Sequence, residues 1–371
     1  VSDESATDFA FMGQALDLAA KGRGGTSPNP MVGAVIVKDG AVVGRGWHKR
    51  AGEPHAEILA LADAGELARG ATVYVTLEPC CHTGRTGPCS EALIAAGVAR
   101  VVVARRDVNP RVAGGGIAAL HAAGILCETG ILEDEARDLN RHFEHWMTTG
   151  RPWVVLKLAM SIDGRIAKAP GPGHAVTGDE VTAAVHRLRA SVDAIAVGSE
   201  TALTDDPRLT VRGEFPHAKA PTRVVFDSRL RVPRSSRVFA GEPAESVTIS
   251  ALGAEHARVL ELVERGAHLI AAPEFTAKGR PTHRVDVFKA LEHLGARTPE
   301  PITSLLIEGG GGLAASFLDR DLVDEVAIFI APDFFGADGV TGCGSMKAIR
   351  RFERRSVTPL GRDLEVLYRR P

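Results

Sequence analysis

The sequence predicts two consecutive α/β domains, and three observations predict them. The chain of 371 residues is longer than one hydrophobic core usually organises. Short apolar runs of strand character alternate with helix-like stretches in both halves, the pattern of a layered α/β architecture. Between the halves a helix-like segment runs into Gly150-Arg151-Pro152, a sequence that stops a helix and restarts the chain in extended form.

Taken in order, residues 32–37, 72–76 and 101–104 read as strands because each is a short apolar run bounded by turn or polar residues. Residues 56–64 and 91–96 between them have helical composition, and Pro54 suits the first turn of the earlier helix. Residues 133–148 form the helix that closes the first domain near Gly150. Beyond the break, residues 153–159, 194–197, 223–226, 304–307 and 326–330 are again strand-like. From Gly213 to Arg284 proline, glycine and charge rise while periodicity weakens, so loops are expected to interrupt the second domain there. The expected division is 1–150 and 151–371.

Charge excludes several function classes. With 44 basic against 46 acidic residues, a net charge of −2 offers no general attraction for nucleic acid or an anionic membrane. The first nine residues carry Asp3, Glu4 and Asp8 instead of a basic and apolar leader, and no apolar run is long enough to span a bilayer. A cytoplasmic protein acting on small molecules is expected, as a homo-oligomer. Five cysteines are too few for a disulfide scaffold, and two stand in a loop whose neighbours suggest a metal.

That loop carries the strongest chemistry. His55-Ala56-Glu57, Glu78-Pro79-Cys80 and Pro88-Cys89 together supply one imidazole and two thiolates, three of the four ligands zinc prefers. A fourth position left to water marks a catalytic zinc, which lowers the pKa of that water toward neutrality and makes hydroxide available as nucleophile. His55 and Glu57 fall at a helix N-terminus, where the carboxylate of Glu57 can shuttle protons. Cys89 also opens a helix-like stretch, whose positive end favours a thiolate. Buried, inert cysteines are the bland alternative, and a structural zinc completed by Cys81 and His82 is another. The latter leaves His55 and Glu57 unexplained, and adjacent residues such as Cys80 and Cys81 point apart. Cys127 and Cys343 stand alone and are read as packing residues.

His-x-Glu with a downstream Pro-Cys pair resembles the zinc cytidine-deaminase superfamily. Eight residues separate Cys80 from Cys89 where most such enzymes have two. This longer loop, with Asn29-Pro30-Met31-Val32-Gly33, Gly46-Trp47-His48 and Asp107-Val108-Asn109-Pro110, resembles the deaminase domain of the bifunctional riboflavin-biosynthesis deaminase-reductases. The resemblance implies a cytidine-deaminase-like α/β/α layered domain with one zinc, acting on a diaminopyrimidinone that bears ribosyl phosphate. Asn29, His48 and Asn109 would contact ring or ribose, and His82 with nearby basic groups such as Arg85 the phosphate. Asn29 and Asn109 before proline are equally good turn residues.

The second half lacks a Gly-x-Gly-x-x-Gly after its first strand. Glu308-Gly309-Gly310-Gly311-Gly312 nevertheless follows a strand and precedes a helix, where backbone amides can face a pyrophosphate or simply form a hinge. Residues 156–165, Thr177-Gly178, Leu188-Arg189, residues 193–195, Gly198, Thr201, residues 205–212 and Glu308-Gly309-Gly310 resemble, in order, the reductase domain of the same family. The resemblance implies a dihydrofolate-reductase-like α/β domain and hydride transfer from NADPH to C1 of the ribose. Lys157 and Asp205 would orient or proton-couple that carbon; Thr177, Thr201, Asp205, Glu308, Gly309 and Gly310 would hold NADPH; Arg189, Leu209 and Arg212 would hold substrate. Many relatives carry an aromatic just before the threonine, where this chain reads Gly173-His174-Ala175-Val176-Thr177, so a stacking contact is lost. Two other readings stand beside this one. A tRNA or free-base deaminase with an inert appendage is disfavoured by near-neutral charge and few aromatics. A non-enzymatic zinc protein would keep its function after Glu57→Ala.

Overall fold

The computed structural model describes residues 3–82, 87–169, 176–215, 218–240, 245–264, 266–342 and 351–371. Arg85, residues 173–175 and Cys343 lie outside the described residues. The chain divides into two compact units, one made by residues 1–149 and one by most of 150–371.

The first unit runs α1 (Asp3–Ala20), β1 (Gly33–Lys38), β2 (Ala41–Trp47), α2 (Ala56–Ala64), β3 (Thr72–Val75), α3 (Cys89–Ala96), β4 (Arg100–Val103), α4 (Gly115–Ala122), β5 (Leu126–Thr129) and α5 (Glu133–Thr149). Its five strands pair in the order β2-β1-β3-β4-β5. β1 is antiparallel to both neighbours, whereas β3, β4 and β5 are parallel. The continuous apolar runs follow from burial on both faces. Ala34, Ile36, Val73, Val75, Val101 and Val103 pack against Ala56 and Ala60 of α2, Leu93 of α3 and Leu120 of α4. The alternate residues Val35, Val37, Tyr74 and Val102 pack against Met12 and Ala15 of α1 and Ala136 of α5. The result is an α/β/α sandwich. A Cβ on Gly46 of β2 would lie 2.2 Å from the Ala56 carbonyl oxygen, so only glycine lets α2 seat this closely. That contact sets the depth of the helix end carrying His55 and Glu57.

The second unit opens with β6 (Trp153–Ser161), β7 (Arg165–Ala167), α6 (Asp179–Ala190), β8 (Ala194–Gly198), α7 (Ser199–Asp205) and β9 (Thr222–Phe226). It continues through β10 (Ser246–Ser250), α8 (Ala257–Glu264), β11 (His268–Ala271), β12 (Pro273–Phe275), β13 (Pro281–Val285), α9 (Val287–Gly295), β14 (Ser304–Ile307) and α10 (Gly311–Asp319). β15 (Glu325–Ala331), β16 (Val340–Thr341), β17 (Glu353–Leu360) and β18 (Asp363–Arg369) complete it. Nine strands form one sheet in the order β11-β10-β9-β8-β14-β6-β15-β18-β17, parallel up to β15 and antiparallel beyond. Val154, Leu156, Leu305 and Ile307 line one face of its centre, and Val155, Ile195, Val225 and Leu306 the other.

The stretch from Gly213 to Arg284 is less loop-like than expected. It holds β10, α8 and β11, which extend the main sheet, and the β12–β13 ribbon. β10 reads Ser-Val-Thr-Ile-Ser and is buried on both faces, so it shows neither alternation nor a long apolar run. Pro273 and Pro281 begin their strands, where a missing N–H disturbs no ladder.

Candidate zinc centre and reductase site

In the first unit, strand and helix ends converge on one cluster. His55 is the N-cap of α2, in extended conformation, and Glu57 lies in the first turn with 3% of its surface exposed. Cys80 follows β3, and Cys89 is the first residue of α3 after the cap Pro88. His55 Nδ1 is 3.3 Å from Cys89 Sγ and 3.6 Å from Cys80 Sγ. Ligands bound tetrahedrally at 2.1 to 2.3 Å stand about 3.5 Å apart, so this donor set fits zinc. Among the described residues it is the one His, Cys, Asp or Glu cluster of metal-binding geometry. Cys81 turns its Sγ to the carbonyls of Arg111 and Val112, outside the set.

Electrostatics distinguish the members. Burial pushes the Glu57 carboxyl up to about 7, against smaller opposing effects that include the charge of His55. The Cys89 hydrogen bond draws Cys80 below the ordinary thiol value, and the His55 contact does the same. The Cys89 N–H also donates to Cys80 Sγ at 3.3 Å, the helix-end effect acting on the neighbouring sulfur.

Around the cluster, His48 is 2% exposed and its Nδ1 lies 3.2 Å from the Pro54 carbonyl oxygen. A carbonyl accepts only, so Nδ1 carries the proton and Nε2 accepts from Asn29 Nδ2 at 3.1 Å. Asn29 and His48 are therefore mutual partners. Asn109 adopts a turn role: its Oδ1 accepts from Arg111 N–H and its own N–H donates to Asp107 Oδ1. His82 is exposed. Glu78, read in the sequence only as part of the Glu-Pro-Cys motif, turns out to organise the site. Its carboxylate accepts from the main-chain N–H groups of Asp107, Gly114, Gly116 and Ile117 at 3.0 to 3.3 Å. These bonds tie the loop bearing Asn109 and the start of α4 to the strand end that carries Cys80. The signal available in the sequence was a carboxylate at a strand end facing the glycine run 114–116, an acceptor for a helix N-terminus.

In the second unit, Lys157 on β6 and Glu308 just after β14 sit on adjacent parallel strands. The Arg189 guanidinium of α6 grips Glu308 with two parallel bonds of 2.6 and 2.8 Å and donates a third to Thr210 O at 2.9 Å. Burial opposes the charge of Glu308, but that fork and the charges of Arg189, Lys157 and His186 hold its carboxyl below the ordinary value. Burial depresses Lys157, and Arg189 adds to this while Glu308 resists it. Arg212 contacts His186, which lies one turn before Arg189 on α6. Thr201 Oγ1 accepts from the N–H of Gly310, the N-cap of α10, which joins the threonine to the glycine run. Leu209 is buried with φ of 50°. Among the described residues no hydrogen bond joins Thr177 or the exposed Asp205 to the Lys157 group. Arg189 and Glu308, expected to hold substrate and cofactor, are each other's partners here.

Residues 5–105 match the cytidine and deoxycytidylate deaminase zinc-binding region, and residues 152–366 match the RibD C-terminal domain. The riboflavin biosynthesis protein RibD of Aquifex aeolicus is 40% identical over 366 residues, 98% of each chain. The chain belongs to the RibD family. RibD of Escherichia coli K12 is 41% identical over 377 residues, covering 96% of this chain and 98% of that one. Among solved structures, Acinetobacter baumannii RibD superposes with a TM-score of 0.87 at 37% identity over 99% of both chains. A diaminohydroxyphosphoribosylaminopyrimidine deaminase/5-amino-6-(5-phosphoribosylamino)uracil reductase from Thermotoga maritima gives 0.84 at 32% identity, again over 99% of both. As a RibD protein the chain is a bifunctional enzyme of riboflavin biosynthesis, a zinc-dependent deaminase and an NADPH-dependent reductase. The comparisons give no support to a tRNA or free-base deaminase with an inert second domain. No described helix is long and apolar enough to cross a membrane.

Proposed function

We propose that the chain deaminates 2,5-diamino-6-(5-phosphoribosylamino)pyrimidin-4(3H)-one and then reduces 5-amino-6-(5-phosphoribosylamino)uracil to its ribityl counterpart. Residues 1–150 would carry the first step and 151–371 the second. The observation that carries the reading is the placement of buried Glu57 two residues from His55, beside Cys80 and Cys89, in a chain that also holds the Lys157–Glu308–Arg189 group.

Zinc held by His55, Cys80 and Cys89 supplies a Lewis acid that brings the pKa of water toward neutrality. Glu57, with its carboxyl raised to about 7, is suited to take a proton from the attacking water and return it to the departing amine. The amine then leaves as ammonia. Asn29, His48 and Asn109 would meet the ring or ribose, and His82 the phosphate.

NADPH supplies the hydride of the second step. Thr177, Thr201, Asp205, Glu308, Gly309 and Gly310 would hold it, Thr201 and Gly310 as a bonded pair. Lys157, depressed by burial, is suited to give a proton to the ring oxygen released as the ribosyl carbon takes the hydride, with Asp205 beside it in role. Arg189, Leu209 and Arg212 would bind substrate, the two arginines at its phosphate. Near-neutral charge supports small-molecule partners over nucleic acid or membrane, and a cytoplasmic homo-oligomer is part of the same proposal.

NADPH oxidation by the zinc-loaded chain, supplied with the undeaminated substrate, tests both steps together. Oxidation that Glu57→Ala abolishes and the deaminated substrate restores is expected. No oxidation with either substrate would overturn the reductase reading. Parent rates in folded Lys157→Met and Asp205→Asn variants would overturn those two assignments.

A further inference from the structure

The two arginines read as substrate ligands have different surroundings. Arg189 is half-buried and makes three bonds, two to Glu308 and one to Thr210. Arg212 is exposed and, among the described residues, has no carboxylate within ion-pair distance. Its contacts are with one ring: the Arg212 main-chain N–H is 3.1 Å from His186 Nδ1, and its side-chain Nε is 3.1 Å from His186 Nε2. His186 is 6% exposed on α6, one turn before Arg189 and on the same helix face.

Burial, with the charges of Arg189 and Arg212, holds the His186 ring below its ordinary value and so keeps it neutral. A neutral imidazole has one N–H and one acceptor nitrogen. Both groups of Arg212 that approach it are donors, so the ring can accept from only one of them. Whichever nitrogen accepts, His186 keeps one bond to Arg212, and the guanidinium Nη groups make none to the described residues.

We propose that His186 is a positioning residue for substrate binding in the reductase unit: it anchors Arg212 through its main chain or its Nε and leaves the guanidinium Nη groups free for the substrate phosphate. The inference rests on the reading of Arg212 as a phosphate ligand. A planar guanidinium without a carboxylate partner is matched to a phosphate, which accepts two parallel bonds. Arg189, held by Glu308 and Thr210, keeps fewer free donors for that role.

The test is steady-state reduction of the phosphorylated, deaminated substrate by the full chain, comparing His186→Leu, His186→Gln and Arg212→Ala. Loss of one such bond corresponds to a rise in substrate KM of about fivefold to tenfold in His186→Leu. The kcat and the KM for NADPH should stay within about twofold, the range expected when only ground-state binding is lost. His186→Gln, whose amide oxygen can accept the same N–H, should return the KM toward the parent. With the dephosphorylated ribosyl substrate, His186→Leu and the parent should have the same KM. A parent-like KM in His186→Leu, where Arg212→Ala raises it, would overturn the role of His186 and leave that of Arg212. A parent-like KM in Arg212→Ala would overturn both. A fall in kcat for His186→Leu that His186→Gln does not repair would make the residue a packing element only.

Discussion

Replacing Glu78 by glutamine exchanges one oxygen for an NH2 group and removes one charge, yet the structure gives that exchange a large effect. Oε2 accepts from Asp107 N–H at 3.3 Å and Gly114 N–H at 3.0 Å; Oε1 accepts from Gly116 N–H at 3.1 Å and Ile117 N–H at 3.2 Å. An amide keeps one acceptor oxygen, so in either orientation two main-chain donors lose their acceptor and face another donor. At roughly 1.5 kcal/mol for each bond to a charged acceptor, the cost is about 3 kcal/mol. With a urea m-value of about 2 to 3 kcal/mol/M for a unit of this size, the midpoint of the first unit should fall by roughly 1 to 1.5 M. Hydrogen exchange read on peptides covering residues 107–117 should accelerate in the same variant. Cys80 is two residues away, so zinc should also dissociate more readily. An unchanged midpoint, with residues 107–117 exchanging at the parent rate, would refute the claim that the carboxylate holds this loop.

Four further outcomes follow from the same geometry. Burial, reinforced by the charges of Glu78 and Glu144, pushes Asp107 up to about 6. Between about pH 4 and 6 the folded state therefore keeps a proton that the unfolded state has released, and stability falls as pH rises through that window. Asp107→Asn keeps the acceptor for Asn109 N–H and should be more stable than the parent by on the order of 2 kcal/mol at pH 7, with little difference near pH 3.5. Thermal unfolding at the two pH values checks this, and a pH-independent difference would contradict it. A Cβ on Gly116 would lie 1.9 Å from the Pro79 carbonyl oxygen, so Gly116→Ala should displace the Pro79-Cys80 segment and lower zinc content measured by metal analysis. Glu57→Gln should slow ammonia release by about 10²- to 10⁴-fold while zinc content and reduction of the deaminated substrate hold, and a smaller loss would remove Glu57 from proton transfer. Glu308→Gln leaves the half-buried Arg189 charge half-partnered and should destabilise the second unit by about 3 kcal/mol; calorimetry showing no change would mean that water replaces the pair.

Local chemistry was legible in the sequence. An imidazole, two thiols and a carboxylate beside the imidazole name a catalytic zinc set whatever the path of the chain, because ligand type is a property of each residue. The strands at 32–37, 72–76 and 304–307 were legible because burial on both faces demands continuous apolar residues, and the helix at 56–64 because its composition and Pro54 mark it. β10 was not, since five residues with only Val247 and Ile249 as large apolar side chains leave no periodic trace.

Pairing between distant residues belongs to the tertiary structure. Arg189 and Glu308 are 119 positions apart and meet because β14 lies between β8 and β6, an order no local segment encodes. Each side chain alone reads as a plausible ligand for phosphate or cofactor; only their fork shows that they neutralise one another. Glu78 is the same case with main-chain partners, for its four N–H donors have no side-chain identity that a sequence could display. Residue types determined what chemistry this chain can perform. Strand order, and the close seating that Gly46 and Gly116 permit, decided which of those groups meet, because hydrogen bonds and ion pairs act over a few ångströms of space and not along the chain.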